Sequence, residues 1–416
     1  MANQGIHLLK LAEERASARK KLEDHKRKLE ESLIPYIPNE CISQILVRLP
    51  LESLTKTRLV CKAWYRIVKS PIFAKDYLER SESSLIFLVP VKRELYFPFF
   101  ERKIPEKTNA FSVESKLFRL QSVPVLQQPS IDPTSLLHLH FMESRDGMVK
   151  TKEYNATCLG RIRACCGGFI LVDNKMKRGG LIVLNPVTRE LLALPVGTIF
   201  PPHCESYGLA YCPSNNQFKL VHLFRDELQY FGCEILTLGD KSWRMVDGPA
   251  FGLFGWCGYD PVVAIGAIHW VPFVDHSEYI VSMTANDEKF QQIFLPTGCR
   301  TSDRIVEIRG QLGFVCHEEE SKQIDVWCLK GLSGEVWRKQ YTIPVGGIRG
   351  LVPLYFTRIS GEMIFRCKFG HLYSYNCSLQ SMHKLEIQAE DISRNVCCFP
   401  HVNSLLSLKV NDQDMF

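Results

Sequence analysis

Two vicinal cysteine pairs, Cys165-Cys166 and Cys397-Cys398, and the adjacent His203-Cys204 carry the side chains best suited to metal ligation or thiol chemistry. Zinc sites draw ligands in pairs at short recurring spacing, and no Cys-x-x-Cys occurs among the 16 cysteines. His138 and His140 could share one strand face, but a core-edge or solvated role suits an isolated pair better than a metal. No His-Glu-x-x-His, no Gly-x-Ser-x-Gly and no phosphate-cradling loop ending in Lys-Ser/Thr occurs. Gly167-Gly168 and Gly346-Gly347 read as turns. The expectation is a chain that is not an enzyme and needs no cofactor or metal.

The elements that would have to position any such chemistry point elsewhere. A length of 416 residues suggests two or three domains. The net charge of +6 is small for that size, and basic residues alternate with acidic ones, which gives little reason to invoke nucleic acid. No apolar run reaches the roughly 18 residues of a membrane span, and the charged start MANQGIHLLKLAEERASARKK lacks the apolar core of a signal peptide. The expected home is a reducing compartment, the cytoplasm and/or nucleus, where cysteines serve as small buried hydrophobes.

From Leu8 to Leu33 apolar positions recur at spacings of three and four, with Glu23–Arg27 and Asp24–Lys28 as i,i+4 pairs. This is a charged helical extension with a weak seam for self-association. Three short helices should follow. Asn39 can cap the first, which carries Cys41, Ile42, Ile45, Leu46 and Leu49 at helical spacing and is stopped by Pro50. A second begins at Leu51-Glu52-Ser53-Leu54. A third presents Leu59, Val60, Ala63, Trp64, Ile67 and Val68 and ends at Ser70-Pro71. About forty residues cannot enclose much apolar surface, so a partner or the following domain should complete it. Pro38, Ile42, Ile45, Leu46 and Leu51 are the best candidates for such a docking face.

This segment resembles an F-box, through Ile37, Pro38, Glu40, Ile42, Ile45 and Leu46, then Arg48-Leu49-Pro50, then Leu54, Arg58, Val60, Cys61, Lys62, Trp64, Ile67, Pro71 and Phe73. Ile37 stands where the family usually has leucine. The resemblance implies attachment to a Skp1-type adaptor and through it to a cullin, with Pro38, Ile42, Ile45, Leu46, Leu49, Pro50, Leu51 and Leu54 as the adaptor-binding residues.

From Ser83 onward, short β-branched and aromatic runs alternate with Gly, Pro, Asn and Asp, so the body reads as all-β. Units such as Gly168–Arg189, Gly208–Arg244, Gly266–Ile293 and Gly313–Arg338 recur every roughly forty-five to sixty residues, a propeller-like period. The body is similar to the F-box-associated β-propeller of plant F-box proteins, above all around Gly168–Pro195 and Ile268-His269-Trp270. About six blades are expected, with a β-sandwich pair as the alternative fold. The organisation is then a helical extension (1–33), an F-box (34–80), a propeller (81–400) and a C-terminal tail (401–416). Residues 91–140 could be an irregular first blade or a large loop.

The resemblance implies a substrate receptor of an SCF-type (Skp1-cullin-F-box) ubiquitin ligase, acting by proximity and contributing no nucleophile. Alternatives are a scaffold or inhibitor that binds the adaptor without target ubiquitination, and an enzyme acting on a small molecule. An unidentified protein target should meet inter-strand loops rich in aromatic residues and arginine. The candidates are Phe251, Phe254, Trp256, Tyr259, Arg300 and Arg304. Pro344–Gly350, PVGGIRG, is too plain to rank as a second loop.

Overall fold

A computed structural model describes residues 15–24, 37–90, 137–145, 148–155, 159–199, 205–225, 230–250, 260–272, 277–299, 303–318, 322–332, 336–385 and 398–408. It divides into two compact units, Met1–Phe73 and Ala74–Phe416. In the first unit, α1 (15–24) is helical with every residue exposed; the rest of the helix expected from Leu8 to Leu33 lies outside the described residues. Then come α2 (Asn39–Leu46), α3 (Leu51–Thr57) and α4 (Lys62–Lys69), followed by α5 (Pro71–Arg80).

Prolines, not the expected Asn39 cap, set the starts of α2 and α3. Pro38 and Pro50 hold ψ at 148° and 152°, and their carbonyls accept from Ile42 and from Ser53 and Leu54. A proline before the first helical residue is already extended, so Asn39 becomes the first residue of the helix and makes no side-chain cap. Both α2 and α3 pack on α4. Leu46, Val47, Leu54 and Val68 are buried. The third apolar stripe is shorter than its sequence suggests: Leu59 and Val60 sit in the turn before α4, closed by bonds to Lys56 and Thr57 carbonyls, and are exposed.

The second unit is a six-bladed β-propeller of six four-stranded antiparallel sheets. Blade 2 is β4 (Leu159–Cys166), β5 (Phe169–Asn174), β6 (Leu181–Asn185) and β7 (Glu190–Ala193). Blade 3 is β8 (Glu205–Cys212), β9 (Gln217–Arg225), β10 (Phe231–Thr237) and β11 (Arg244–Val246). Blade 4 is β12 (Val262–Ala264), β13 (Ala267–Trp270), β14 (Ser277–Thr284) and β15 (Phe290–Cys299). Blade 5 is β16 (Arg304–Ile308), β17 (Gln311–Glu318), β18 (Gln323–Leu329) and β19 (Arg338–Pro344). Blade 6 is β20 (Val352–Phe356), β21 (Glu362–Arg366), β22 (Leu372–Asn376) and β23 (Ser381–Lys384). Blade 1 is composite: β1 (Ser83–Pro90), β2 (Leu137–Arg145) and β3 (Met148–Asn155) are its outer strands, and β24 (Cys398–Val402) is the innermost.

The innermost strands touch in a closed ring, β4 to β8, β12, β16, β20, β24 and back to β4. Each blade therefore buries both faces against neighbours, and six apolar clusters fill the six interfaces. This is why strands such as LIVLN and AIHW are buried at every position instead of alternating. The ring closes through the chain's C-terminal part, so the tail expected from residue 401 begins later. His401, Val402, Ser404 and Leu405 are buried. Asn185 donates to the carbonyls of Ser404 and Leu406, and Glu190 accepts from Ser407 and Leu408.

The run Ala264–Val271, which reads as one strand, is a hairpin. Ile265 and Gly266 turn at φ 44° and 72°, and Ala264 pairs with Ala267. Arg309-Gly310 and Gly167-Gly168 make the same left-handed pair between the first two strands of their blades. Of the awkward region 91–140, β2 begins at Leu137 and pairs with β1, while residues 91–136 lie outside the described residues.

Candidate recognition surfaces

In the helical unit, Leu46 and Leu54 of the expected docking set are interior, 1% and 0% exposed. Ile42, Leu49 and Leu51 are half-buried, whereas Pro38, Ile45 and Pro50 are exposed. Large apolar side chains that the sequence reading did not select stand out further: Leu59 is 86%, Val60 62% and Tyr65 48% exposed. Trp64 is half-buried.

The propeller has two distinct ends. The proximal end carries the turns between first and second and between third and fourth strands. Glu82, just before β1, lies there; its carboxylate accepts from the backbone of Ser83, Ile359 and Ser360. Gly168 approaches Val402 and Ser404 at the same end. The distal end carries the second-to-third turns and the connections between blades. There, Arg161 at the start of β4 faces Asp260 at 3.8 Å, before β12, and Lys368 N bonds Arg349 O at 3.4 Å.

Phe251, Phe254, Trp256, Tyr259 and Arg300 lie outside the described residues. The strands flanking them, β11 and β12 and then β15 and β16, end and begin at the distal end. Arg304, the first residue of β16, is half-buried there, with Nη1 donating to the Asp303 carbonyl at 2.7 Å. Tyr230, between β9 and β10, is 70% exposed at this end.

Beneath the distal end a buried polar brace joins blades 2 and 3. Arg163 on β4 donates to Asp173 on β5 at 2.6 Å and to Glu205 on β8 at 2.9 Å. Tyr207 Oη donates to Glu205 at 3.2 Å, and its ring stacks on His222 of β9 with centroids 4.2 Å apart. His222 Nδ1 is 2.8 Å from Glu234 of β10, while Nε2 lies 3.3 Å from Glu205 without hydrogen-bond alignment. Glu234 also accepts from Thr198 N and Oγ1 at 2.9 and 3.0 Å, which fixes the connection between β7 and β8.

Burial raises the Asp173 carboxyl above its usual range, and Arg163 only partly opposes this. Burial works upward on Glu234 too, but the His222 and Thr198 hydrogen bonds outweigh it and hold the carboxyl low. The His222 and Glu234 side chains are 0% and 4% exposed, so this part of the cluster ties loops to strands. The sequence reading passed over these residues, although a charge inside Val221-His222-Leu223 or Cys233-Glu234-Ile235 marks a group that must find a buried partner. Among the described residues, no group of three or more His, Cys, Asp and Glu could hold a metal ion, and no helix is long and apolar enough to cross a membrane.

A small helical unit with exposed apolar residues, joined to a ring whose loops cluster at its ends, defines a protein-binding architecture. Residues 34–76 match the F-box domain, and residues 119–407 match the F-box associated beta propeller domain. The chain belongs to the F-box proteins with an F-box associated β-propeller. Its relatives include three proteins of Arabidopsis thaliana. Putative F-box protein At5g50220 is 24% identical, covering 89% of this chain and 91% of that protein. Putative F-box protein At1g53370 is 22% identical, covering 86% and 89%. F-box protein At5g49610 is 25% identical, covering 79% and 85%.

Proposed function

We propose that this protein is the substrate-receptor subunit of an SCF-type ubiquitin ligase. Its F-box binds a Skp1-type adaptor, and through it a cullin, while the distal loops of the propeller hold the protein to be ubiquitinated. The observation that carries this reading is the pairing of an F-box whose Ile45, Leu59, Val60 and Tyr65 remain exposed with a closed, loop-bearing ring. Desolvated large apolar side chains are what an interface centre uses. Catalysis is by proximity: the receptor raises the local concentration of target lysines beside a separate conjugating enzyme. The protein works in the cytoplasm and/or nucleus.

The docking test uses exposed positions, because a charge at interior Leu46 would unfold the unit. Ile45→Asp/Leu59→Asp should abolish co-purification with the adaptor while the propeller's thermal melt is unchanged. Undiminished co-purification overturns the docking face. The receptor role is tested by comparing ubiquitinated proteins captured, under proteasome inhibition, with wild type and with the docking variant. Targets bound equally by both but ubiquitinated by neither would identify a scaffold or inhibitor instead.

A further inference from the structure

Blade 6 carries a local excess of positive charge, as does the stretch 48–69 of the helical unit, with six Lys and Arg against Glu52. Residues 349–385 contain Arg349, Arg358, Arg366, Lys368 and Lys384 against a single carboxylate, Glu362. Glu362 is 3% exposed and accepts from Ser374 Oγ at 2.9 Å. At the distal end of blade 6, Arg349, Lys368, His371 and Lys384 are all exposed. Arg349 and Lys368 are adjacent through the backbone bond between them, Cys367 N bonds His371 O at 2.9 Å, and Lys384 pairs with Tyr373. With strands spaced about 4.8 Å apart, these groups lie within roughly 15 Å of one another. Phe369, 61% exposed, projects from the same β21–β22 turn. Beside it runs Val345–Gly350, in which a Cβ added to Gly346 or Gly347 would meet nothing within 4 Å.

We infer that the distal end of blade 6 is a docking surface for an extended, Asp/Glu-rich segment of the recognised protein. This rests on the receptor reading and gives its target a chemistry. The cations are spread, mostly lysine, and without a convergent arginine pair. That arrangement matches carboxylates distributed along a chain better than one doubly charged phosphate, which favours bidentate arginine. Phe369 gives an apolar side chain of the segment a place to rest, and the bare Gly346-Gly347 turn lets a backbone pass closely. The plain PVGGIRG loop thus contributes by what it leaves open and by Arg349.

The probe is a fluorescein-labelled peptide of alternating Glu and Gly with one central Leu, titrated into the full chain and read by anisotropy. Binding should weaken as salt rises, and a Gln-for-Glu peptide should not bind. Arg349→Glu/Lys368→Glu/Lys384→Glu should lower affinity about tenfold or more, Phe369→Ala a few-fold, and Lys241→Glu/Lys330→Glu at the proximal end not at all. Arg349→Gln/Lys368→Gln/Lys384→Gln serves should the charge reversals lower the melting temperature.

Unchanged affinity in the triple variants overturns the inference. So does tighter binding of a Gln peptide bearing one phosphoserine, or of a single-stranded DNA. Binding that appears only after Glu386→Gln/Glu390→Gln/Asp391→Gln would make the chain's own acidic segment the occupant and overturn it too. The two readings fail separately. A target whose ubiquitination survives Arg349→Glu/Lys368→Glu/Lys384→Glu removes this inference alone. Peptide binding as expected, in a chain whose loss alters no protein's ubiquitination, removes the receptor role alone.

Discussion

The helical unit and the propeller treat their large apolar side chains in opposite ways. Three short helices enclose Leu46, Leu54 and Val68 but leave Leu59 86% exposed and Ile45 54% exposed. Every blade of the ring instead has both faces covered, and Trp270, Phe314 and Phe365 have no exposed surface. The difference is geometric. A unit of about forty residues has too little volume behind its surface to hide its apolar content, whereas a closed ring gives each sheet two neighbours. Exposed apolar area in the first region lies on the helices and the turn between them, whereas in the second it is confined to turns and outer strands, as at Tyr230 and Phe369, and the blade faces stay covered.

The largest expected effect follows from closure. Deleting residues 398–416 removes β24, and with it the inner strand of blade 1 and the contacts of Phe399 with blades 1 and 2. The deletion should yield a propeller that no longer melts cooperatively and is cut quickly by protease, while α2–α4 keep their helical signal. A cooperative melt near the wild-type temperature would mean that closure contributes little.

Next come single side chains on either side of the comparison. Trp270→Ala or Phe314→Ala should cost about 3–5 kcal/mol in denaturant unfolding. Leu59→Ala should leave stability within about 0.5 kcal/mol while weakening adaptor binding. A large loss of stability from Leu59→Ala would erase the distinction between the two regions.

Acid should separate them as well. Burial pushes His401 down from 6.5 to about 3 and His269 to about 4, and residues 34–80 contain no histidine. A histidine with a depressed folded pKa takes up its proton in the unfolded chain first. Its penalty is absent above the unfolded value of 6.5 and grows as pH falls toward the folded value. At pH 5 the cost from His401 alone is about 2 kcal/mol. Glu234 is held low, so its contribution is complete above the ordinary carboxyl value of 4.5 and is lost on further acidification through the folded value, in the same direction. The propeller's melting temperature should therefore fall between about pH 6.5 and 4. His401→Phe, beside Phe141 at a ring distance of 5.4 Å, should flatten that fall. An unaltered pH profile in this variant would exclude His401 as the source.

Legibility followed the same division. The F-box order of Pro38, Pro50 and the leucines was readable because short helices bracketed by proline are local features. Six blades were readable from the recurrence of Gly-apolar runs. The composite first blade was not, since pairing Leu85 with Pro400 joins residues more than three hundred apart, and nothing local records that. The short outer strands β7, β11 and β23 were also missed, because at three or four residues each they are too short for an alternating pattern to show. At the candidate site, the end of the ring on which Arg304 stands was not legible, and the brace of Arg163, Glu205, His222 and Glu234 required contacts between blades.

The smallest effect lies in a turn that hid from the sequence. Ile265 occupies the left-handed region at φ 44° between Ala264 and Gly266, where a β-branched residue is strained by roughly 1–2 kcal/mol. It is retained against that strain by partial packing on the blade 4–5 cluster with Phe314 and Trp337. Ile265→Asn relieves the backbone and gives up some of this packing, so the net change should be a gain of at most about 1 kcal/mol. The equivalent Arg309→Asn in Arg309-Gly310 tests whether the packing matters: Arg309 instead stacks over Phe356 at 5.5 Å. If Ile265→Asn destabilises more than Arg309→Asn does, side-chain burial rather than backbone strain decides the residue, even in the turns of the ring.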